Sequence, residues 1–290
     1  MNRFYKAQSI NDAFLWAAKQ IKNNPDFSVS PREMATREIL SVVLQITNPY
    51  NRIVKNKHRK ISLKYLIGEW LWYERASNLL SEIAYYSSFW KKISDDGQTA
   101  NSAYGYRIKG CHLRPEMNQW KYVKRQLLSD QNTRRAVIFI ASNSDVREKT
   151  KDFPCTMFLQ FLIRNKKLHL ICNMRSNDLI LGFCYDVATF TIFQEKMLLE
   201  LKMKIPDLEM GHYFHFASSM HAYERHYKMI DEVLKNPTDN FKIDMPKMER
   251  LSEIKKLQTN EAIIRTGSKK PLLPLNDKFC SWCQTVLLDR

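Results

Sequence analysis

The fold of this chain is decided by residues 154–186, which read PCTMFLQFLIRNKKLHLICNMRSNDLILGFCYD. Residues 157–163 and 168–173 are rich in branched and aromatic side chains, which predicts two strands. The residues between them, 164–167, predict a hairpin turn. The apolar residues 187–201 that follow predict a buried helix. Two strands and a helix are thus expected to flank one polar cluster, Arg175-Ser176-Asn177-Asp178.

The rest of the chain mixes helical and strand patterns. The spacing of apolar residues predicts, in chain order, a helix over 10–23, a strand over 39–46, a helix over 62–80, a polar loop around Tyr104-Gly105-Tyr106, a strand over 136–141, a strand over 213–217 and a helix that starts near His221. The pattern weakens after Pro237, and residues 255–275 are expected to be irregular. This order predicts an α+β fold, a mixed β-sheet with surrounding helices.

Length and composition set the outer limits. The 290 residues, 44% of them hydrophobic, fit one large domain with a substantial core. We expect a catalytic domain over 1–236 and a basic extension of unknown role over 237–290. The N-terminus lacks the apolar core of a signal peptide, and no apolar run approaches the roughly 20 residues that span a bilayer. A cytoplasmic protein with free thiols is therefore expected, in a host cell's cytoplasm if a phage encodes it.

The net charge of +16 favours a polyanionic or phosphorylated partner without choosing among them. No aromatic and basic recognition motif accompanies the charge, so a nucleic-acid-binding protein is the alternative from another class and is not favoured. Cys280 and Cys283 resemble half of a zinc site, but a second such pair is missing from the sequence. No metal is expected.

Cys155 and Glu69 are the candidate catalytic residues. Cys155 follows a proline at the start of a predicted strand, and a nearby guanidinium such as Arg175 would make it a nucleophile. The alternative is a small core cysteine. Glu69 stands among Leu66 and Trp70, where burial would raise its pKa and suit it to proton transfer. Periodicity alone favours a partly exposed glutamate there.

Guanidinium groups and hydroxyls suggest a nucleotide site. Arg134, Arg135 and Arg175 can each bind phosphate oxygens as a planar fork, and Ser176 adds a hydroxyl. Each arginine by itself is typical of a surface ion pair. His221 and Tyr223 could hydrogen-bond sugar hydroxyls. Together these residues predict a site for a nucleoside monophosphate.

The ordered set of motifs resembles the thymidylate synthase superfamily, and within it the phage deoxycytidylate hydroxymethylases. The resemblance is carried by Cys155-Thr156, Gln160 to Arg164, Asn173 to Asp178, Thr133-Arg134-Arg135 upstream and Ser218 to Tyr223 downstream. It covers residues 39–234. It implies a thymidylate synthase-like fold, a sheet-mediated homodimer and 5,10-methylenetetrahydrofolate as co-substrate.

The resemblance also implies a role for each matching residue. Cys155 matches the nucleophile that adds to pyrimidine C6, and Glu69 matches the glutamate that organises water and proton transfer, which overturns the exposed alternative. The other matches are Arg134, Arg135, Arg175 and Ser176 for phosphate, the first two across a dimer interface; His221 and Tyr223 for the sugar; Asp178 for folate; and Tyr104 and Trp90 for the nucleophile and the folate ring. A further phosphate arginine matches Arg32, with Arg37 and Arg52 as alternatives.

Asp186 is the informative departure from the family pattern. Synthases that use deoxyuridylate carry asparagine there, since an amide can accept from uracil N3–H and donate to O4. Cytosine reverses that edge, and a carboxyl can accept from its amino group and, when protonated, donate to N3. Thr156 and Met174 also replace family residues. A simple ion pair of Asp186 with an arginine is the alternative.

These residues predict a deoxycytidylate (dCMP) hydroxymethylase. Ser176 stands where ribonucleotide-using relatives carry a smaller residue, so the resemblance implies deoxyribose rather than ribose and makes a cytidylate hydroxymethylase less favoured. A dCMP methyltransferase and a thymidylate synthase with altered specificity are the alternatives, because sequence does not fix whether water or hydride completes the reaction.

Overall fold

The computed structural model describes residues 3–110, 112–114 and 116–289, so that Cys111 lies outside the described residues. The helices are α1 (Ile10–Asn23), α2 (Leu63–Glu74), α3 (Leu80–Ile83), α4 (Phe89–Ile93), α5 (Gln119–Ser129), α6 (Phe183–Lys202), α7 (Tyr227–Lys235), α8 (Glu253–Thr266) and α9 (Lys278–Leu288). The strands are β1 (Phe4–Ala7), β2 (Phe27–Val29), β3 (Thr36–Ile46), β4 (His112–Arg114), β5 (Met117–Asn118), β6 (Val137–Phe139), β7 (Thr156–Arg164), β8 (Lys167–Met174), β9 (Asn177–Asp178) and β10 (Glu209–Tyr223).

The chain divides into two compact units. The first comprises Met1–Ile61, Cys155–Gln194 and Asp207–Met245, and the second comprises Ser62–Pro154, Glu195–Pro206 and Pro246–Arg290. Both units therefore contain residues from the predicted extension. A separate role for residues 237–290 stays a prediction.

A mixed sheet forms the centre of the first unit, as predicted. Its strand order is β1-β3-β10-β8-β7, with β2 paired to β3 and β9 paired to β10. Strand β10 is antiparallel to β3 and parallel to β8, and β7 and β8 form an antiparallel hairpin. The hairpin turns at Asn165 and Lys166, whose φ angles of 49° and 58° are those of a tight two-residue turn.

Helix α1 has the predicted bounds. Ser9 caps it by accepting from the backbone N–H of Asp12, and its apolar face is buried against β3 and α7. The residues of that face are Ile10, Ala13, Phe14, Ala17, Ala18 and Ile21.

Helices dominate the second unit. Helix α2 is buried along residues 66–74 and packs against α8 and α9. Trp70 of α2 meets Phe279 of α9 edge to face, with ring centroids 5.3 Å apart. The predicted continuation of α2 to Leu80 is wrong, because the chain leaves the helix through Ala76, whose φ is 57°.

Three other local expectations are also wrong. His221 lies inside strand β10, and the next α-helix starts at Tyr227. The expected loop after Tyr104 contains a helical turn over Tyr106–Gly110. Helix α8 occupies Glu253–Thr266, part of the segment expected to be irregular. Within the described residues, no helix has the length and apolar character needed to cross a bilayer.

Candidate functional site

The hairpin register places Cys155 beside Arg175. Thr156 at the start of β7 faces Met174 at the end of β8, so the preceding and following residues are neighbours. The backbone N–H of Arg175 donates to the carbonyl of Cys155 over 2.9 Å, and its Nη2 lies 3.7 Å from Sγ. The sulfur is half-buried. A guanidinium at this distance stabilises negative charge on the sulfur, as a nucleophile requires.

The carboxylate of Asp178 holds the backbone of residues 180–181 by hydrogen bonds. Its Oδ1 accepts from the backbone N–H groups of Ile180 and Leu181 over 2.7 and 2.9 Å. Its Oδ2 is buried and has no hydrogen-bond partner among the described residues. Arg59 holds the same segment by donating from Nε and Nη2 to the carbonyl of Ile180. The segment therefore presents one buried carboxylate oxygen that can accept from a ligand.

His221 and Tyr223 lie on one face of β10. Their ring centroids are 5.4 Å apart, and residue His221 is opposite Asp178 in the β9–β10 pairing. Burial lowers the pKa of His221, against the opposing effect of the Asp178 carboxylate. The imidazole can therefore offer one donor and one acceptor, as recognition of a sugar hydroxyl requires. Arg225 places its guanidinium 4.7 Å from the centre of the Tyr223 ring.

Arg32 has a strained backbone and lies near this pair. Arg32 and Glu33 both have positive φ, 51° and 62°, which costs about 1 kcal/mol or more for each non-glycine residue. The charge of Arg32 acts on the hydroxyl of Tyr223 and lowers its pKa, although burial raises that pKa overall. Of the two alternatives, Arg52 is only 1% exposed and Arg37 lies over the ring of Tyr227.

Asp186 stands in the first turn of α6 and is half-buried. Its Oδ2 accepts from the amide Nδ2 of Asn177 over 2.8 Å. Asn177 is only 2% exposed, and its Oδ1 lies 3.0 Å from Nε2 of His215. The carboxyl of Asp186 is thus held by a buried amide.

Glu69, Trp90 and Tyr104 come together in the second unit through two tyrosines. Tyr65 donates its hydroxyl to Glu69 over 2.5 Å and accepts from Nε1 of Trp90 over 3.1 Å. Tyr73 also hydrogen-bonds Glu69, and its ring lies 5.5 Å from that of Tyr104. Burial raises the pKa of Glu69 to about 7, although the two tyrosine hydroxyls oppose the shift. The carboxyl can therefore exchange a proton near neutral pH.

Gly105 allows Tyr104 to approach α2. A Cβ at residue 105 would lie 2.1 Å from the backbone of Tyr73, too close for any side chain. Arg134 and Arg135, by contrast, are exposed in the turn after α5, where the hydroxyl of Thr133 accepts from the backbone N–H of Arg135. Their guanidinium groups are accessible to a phosphate or to another protein chain.

Sequence reasoning missed Tyr65, Tyr73 and His215. The two tyrosines stand four residues before and four after Glu69, the spacing at which side chains meet on a helix. His215 and Tyr213 alternate with apolar residues along a strand, which is the signal of a buried polar pair. These spacings were available in the sequence.

The chain belongs to the thymidylate synthase family, whose model matches residues 13–271. Members of this family are folate-dependent one-carbon transferases that act in nucleotide metabolism. The chain is similar to a deoxyuridylate hydroxymethyltransferase of Bacillus phage SP01, with 29% identity over 240 residues. That alignment covers 78% of this chain and 61% of the phage enzyme.

Two further relatives and one solved structure agree with this family. A deoxycytidylate 5-hydroxymethyltransferase of Enterobacteria phage T6 is 26% identical over 71% of this chain and 83% of its own length. A putative thymidylate synthase of Methanocaldococcus jannaschii is 30% identical over 75% of this chain and 89% of its own. Thymidylate synthase A of Bacillus subtilis has the same fold, with a TM-score of 0.64 and 21% identity over 83% of this chain and 87% of that one.

Proposed function

We propose that this protein is a dCMP hydroxymethylase. It would transfer a one-carbon unit from 5,10-methylenetetrahydrofolate to C5 of dCMP, and water would complete the hydroxymethyl group. The observation that carries the proposal is the carboxyl of Asp186, held by Asn177 over 2.8 Å where deoxyuridylate enzymes of the family carry an amide. Action in a cytoplasm, including that of a phage's host, is part of the same proposal.

Cytosine and uracil differ in the hydrogen-bonding groups that they present to residue 186. Cytosine offers an acceptor at N3 and a donor at its 4-amino group, whereas uracil offers a donor at N3 and an acceptor at O4. A protonated carboxyl presents one donor and one acceptor and so matches cytosine. Asp186 has the required chemistry, and Asn177 fixes one of its oxygens as an acceptor.

The covalent step uses Cys155. Its Sγ forms a bond to C6 of the pyrimidine, and the electron pair of the C5–C6 double bond makes C5 a nucleophile toward the one-carbon unit. C5 then loses its proton, and the bond between the transferred carbon and the folate nitrogen breaks to release tetrahydrofolate. A water oxygen bonds to the exocyclic carbon and loses a proton, and the sulfur leaves C6. Arg175 stabilises the thiolate from 3.7 Å, and we assign the proton and the water to Glu69.

The remaining groups of the nucleotide have matching residues in the first unit. We assign the phosphate to Arg175, Ser176 and Arg32. His221 and Tyr223 have their rings 5.4 Å apart and would hold the 3′-hydroxyl. Guanidinium forks suit a phosphate dianion because each can donate two parallel hydrogen bonds.

The residues present fit a reduced folate. The buried Oδ2 of Asp178, which has no partner among the described residues, can accept from a ring N–H. We assign the folate ring to Trp90, whose indole is 6% exposed and donates to the hydroxyl of Tyr65. Bound methylenetetrahydrofolate supplies the one-carbon unit at the oxidation level of formaldehyde.

A homodimer through the central sheet is part of the proposal. Half-buried side chains alternate with buried ones along residues 42–46 of β3, 168–174 of β8 and 210–217 of β10. Val43 faces Phe216, and Ile171 faces Phe214, on adjacent strands. We assign this half-buried sheet face, with its apolar pairs, to contact with a second copy of the chain. Arg134 and Arg135 would then reach the phosphate in the partner's site.

A second candidate is hydroxymethylation of deoxyuridylate (dUMP), because the SP01 relative carries that name. The two candidates differ only in the base, so one experiment separates them. We would incubate the protein and methylenetetrahydrofolate with dCMP, dUMP, CMP and UMP separately, then determine each product by mass spectrometry. The proposal expects a hydroxymethyl product from dCMP and tetrahydrofolate as the other product.

The outcomes are distinct. A hydroxymethyl product from dUMP alone would replace the substrate assignment, and a methyl product with dihydrofolate would refute hydroxymethylation. Cys155→Ser should reduce turnover at least about a thousandfold, because the covalent step is lost. Cys283→Ala, on α9, is the control and should retain activity.

A further inference from the structure

A buried chain of hydrogen bonds ends on Asp186. The hydroxyl of Tyr213 lies 3.0 Å from Nδ1 of His215. Nε2 of His215 lies 3.0 Å from Oδ1 of Asn177, whose Nδ2 lies 2.8 Å from Oδ2 of Asp186. The thiol of Cys172 is hydrogen-bonded to Tyr213 at the other end. Four side chains therefore connect the core of the sheet to one oxygen of Asp186.

The surrounding fold encloses this series of hydrogen-bonded side chains. Tyr213 and His215 alternate along β10 and point to the same side of the sheet, where both are completely buried. Cys172 on β8 is opposite His215 in the strand register. The ring of Phe183 packs edge to face on His215 with centroids 5.3 Å apart. Both rings are thus enclosed by neighbouring side chains.

The proton positions along the chain follow from donor and acceptor counts. Burial lowers the pKa of His215 to about 3, so its imidazole is neutral and has one donor and one acceptor. Nδ2 of Asn177 donates to Asp186, which leaves Oδ1 of Asn177 to accept from Nε2–H of His215. Nδ1 of His215 must then accept from the hydroxyl of Tyr213. The donors of Tyr213, His215 and Asn177 consequently all point toward Asp186.

We propose that His215 and Tyr213 are positioning residues that fix base selectivity, because the chain they form keeps Oδ2 of Asp186 an acceptor. A carbonyl oxygen of a carboxyl group accepts far better than its hydroxyl oxygen, so the proton of a neutral Asp186 is placed on Oδ1. The inference rests on the proposed function, in which Asp186 reads the base.

The place of that proton decides which base is accepted. With Oδ1 facing N3 and Oδ2 facing the exocyclic group, a proton on Oδ1 donates to N3 of cytosine while Oδ2 accepts from its amino group. A proton on Oδ2 would instead donate to O4 of uracil. The series of hydrogen bonds therefore makes Asp186 prefer cytosine over uracil. Breaking one of these hydrogen bonds weakens that preference.

Gly182 makes the last hydrogen bond of the chain possible. A Cβ at this residue would lie 3.0 Å from Nδ2 of Asn177 and 3.1 Å from Oδ2 of Asp186. A side chain here would push the two groups apart. Gly182→Ala should therefore lower selectivity in the same direction as the loss of Tyr213.

The test measures kcat/KM for dCMP and for dUMP in Tyr213→Phe. We expect the dCMP preference to fall about tenfold, the upper range for one buried hydrogen bond, with kcat affected more than KM for dCMP. Tyr86→Phe removes another tyrosine hydroxyl, which donates to Glu261, and is the matched control. Tyr86→Phe should leave the preference for dCMP over dUMP unchanged. It should lower thermal stability by an amount similar to that of Tyr213→Phe.

A histidine pair separates positioning from packing. His215→Gln keeps a donor toward Asn177 and should retain most of the preference, whereas His215→Phe keeps a ring without a donor and should lose it. Equal preferences in the two variants would overturn the proposal. Nitrogen-15 NMR of the wild-type histidines, which needs no variant, should show His215 neutral and protonated at Nε2; the Nδ1–H form would also overturn it.

Turnover by the wild-type protein separates an error in the proposed function from an error in the role of Tyr213 and His215. A wild-type protein that turns over neither dCMP nor dUMP contradicts the proposed function, and the inference falls with it. A wild-type protein that selects dCMP, with the full preference retained in Tyr213→Phe, contradicts the inference alone.

Discussion

Glu69 carries a pKa near 7 inside the second unit, and this has a consequence for stability. The carboxyl is 6% exposed, and desolvation is the largest cause of the shift from its ordinary value of 4.5. A raised pKa means that the folded protein holds a proton that the unfolded chain releases. Its contribution to stability is fully present below pH 4.5 and is lost as pH rises through about 7.

Glu69→Gln removes this dependence. The free energy of unfolding of the wild-type protein, relative to the variant, should fall by roughly 3 kcal/mol between these two pH values, at about 1.4 kcal/mol per unit of pKa shift. Urea unfolding at several pH values measures the difference. If the difference in free energy of unfolding between the wild-type protein and Glu69→Gln does not change with pH, the pKa of Glu69 is not raised.

Local sequence signals account for one contact at the candidate site. The proximity of Cys155 and Arg175 follows from a two-residue hairpin turn and the antiparallel register, both of which have clear sequence signals. The spacing along α2 indicates the direct contacts of Glu69 with Tyr65 and Tyr73. It does not indicate the further contacts of these tyrosines with Trp90 and Tyr104, which come from other segments. The partner of Asp186 was also unexpected: the sequence suggested a base or an arginine, and the structure shows Asn177.

Helix α9 belongs to the core of the second unit. Phe279, Cys280, Cys283 and Leu287 are all completely buried, and Phe279 meets Trp70 edge to face. Burial raises the pKa of the Cys280 thiol, as expected for a core cysteine. The segment that the sequence marked as an extension therefore contributes core side chains.

Phe279→Ala should be costly for this reason. Truncating a buried phenylalanine lowers the free energy of unfolding by about 3–5 kcal/mol. Leu288→Ala, at the exposed end of the same helix with 52% exposure, should change it by less than about 0.5 kcal/mol. Chemical unfolding of both variants provides the comparison. Equal, small losses in the free energy of unfolding of the two variants would show that α9 does not contribute to the core.

Elements with strong local signals were predictable, and elements that depend on distant partners were not. Helix α1 has a capping serine and one apolar face, so its bounds follow from local sequence. Strand β10 continues through His221 to Tyr223 because β3 and β9 pair with it there. No pattern near His221 shows those partners. The helical turn after Tyr104 likewise depends on the close approach of Gly105 to Tyr73.

At the scale of the whole molecule, the proposed dimer makes each site dependent on two chains. Phe216→Lys would place a charge among the apolar pairs of the half-buried sheet face and should convert the protein to a monomer, as measured by sedimentation. Val146→Lys, at a residue that is 78% exposed, is the control. An active wild-type monomer would contradict the dimer.

Shared sites also allow complementation. A Cys155→Ser chain and an Arg134→Ala, Arg135→Ala chain are each expected to be nearly inactive. A mixed dimer has one site with the intact cysteine of one chain and the intact arginines of the other. Mixing the two proteins should therefore restore activity, whereas sites built from one chain would stay inactive after mixing.

Competition between dCMP and dUMP in one reaction shows whether the acidic side chain of Asp186 selects cytosine. The wild-type protein should consume dCMP first, and Asp186→Asn should prefer dUMP, with a combined change of about a hundredfold or more from the reversed hydrogen bonds. A wild-type preference for dUMP, or an unchanged preference in Asp186→Asn, would contradict the account.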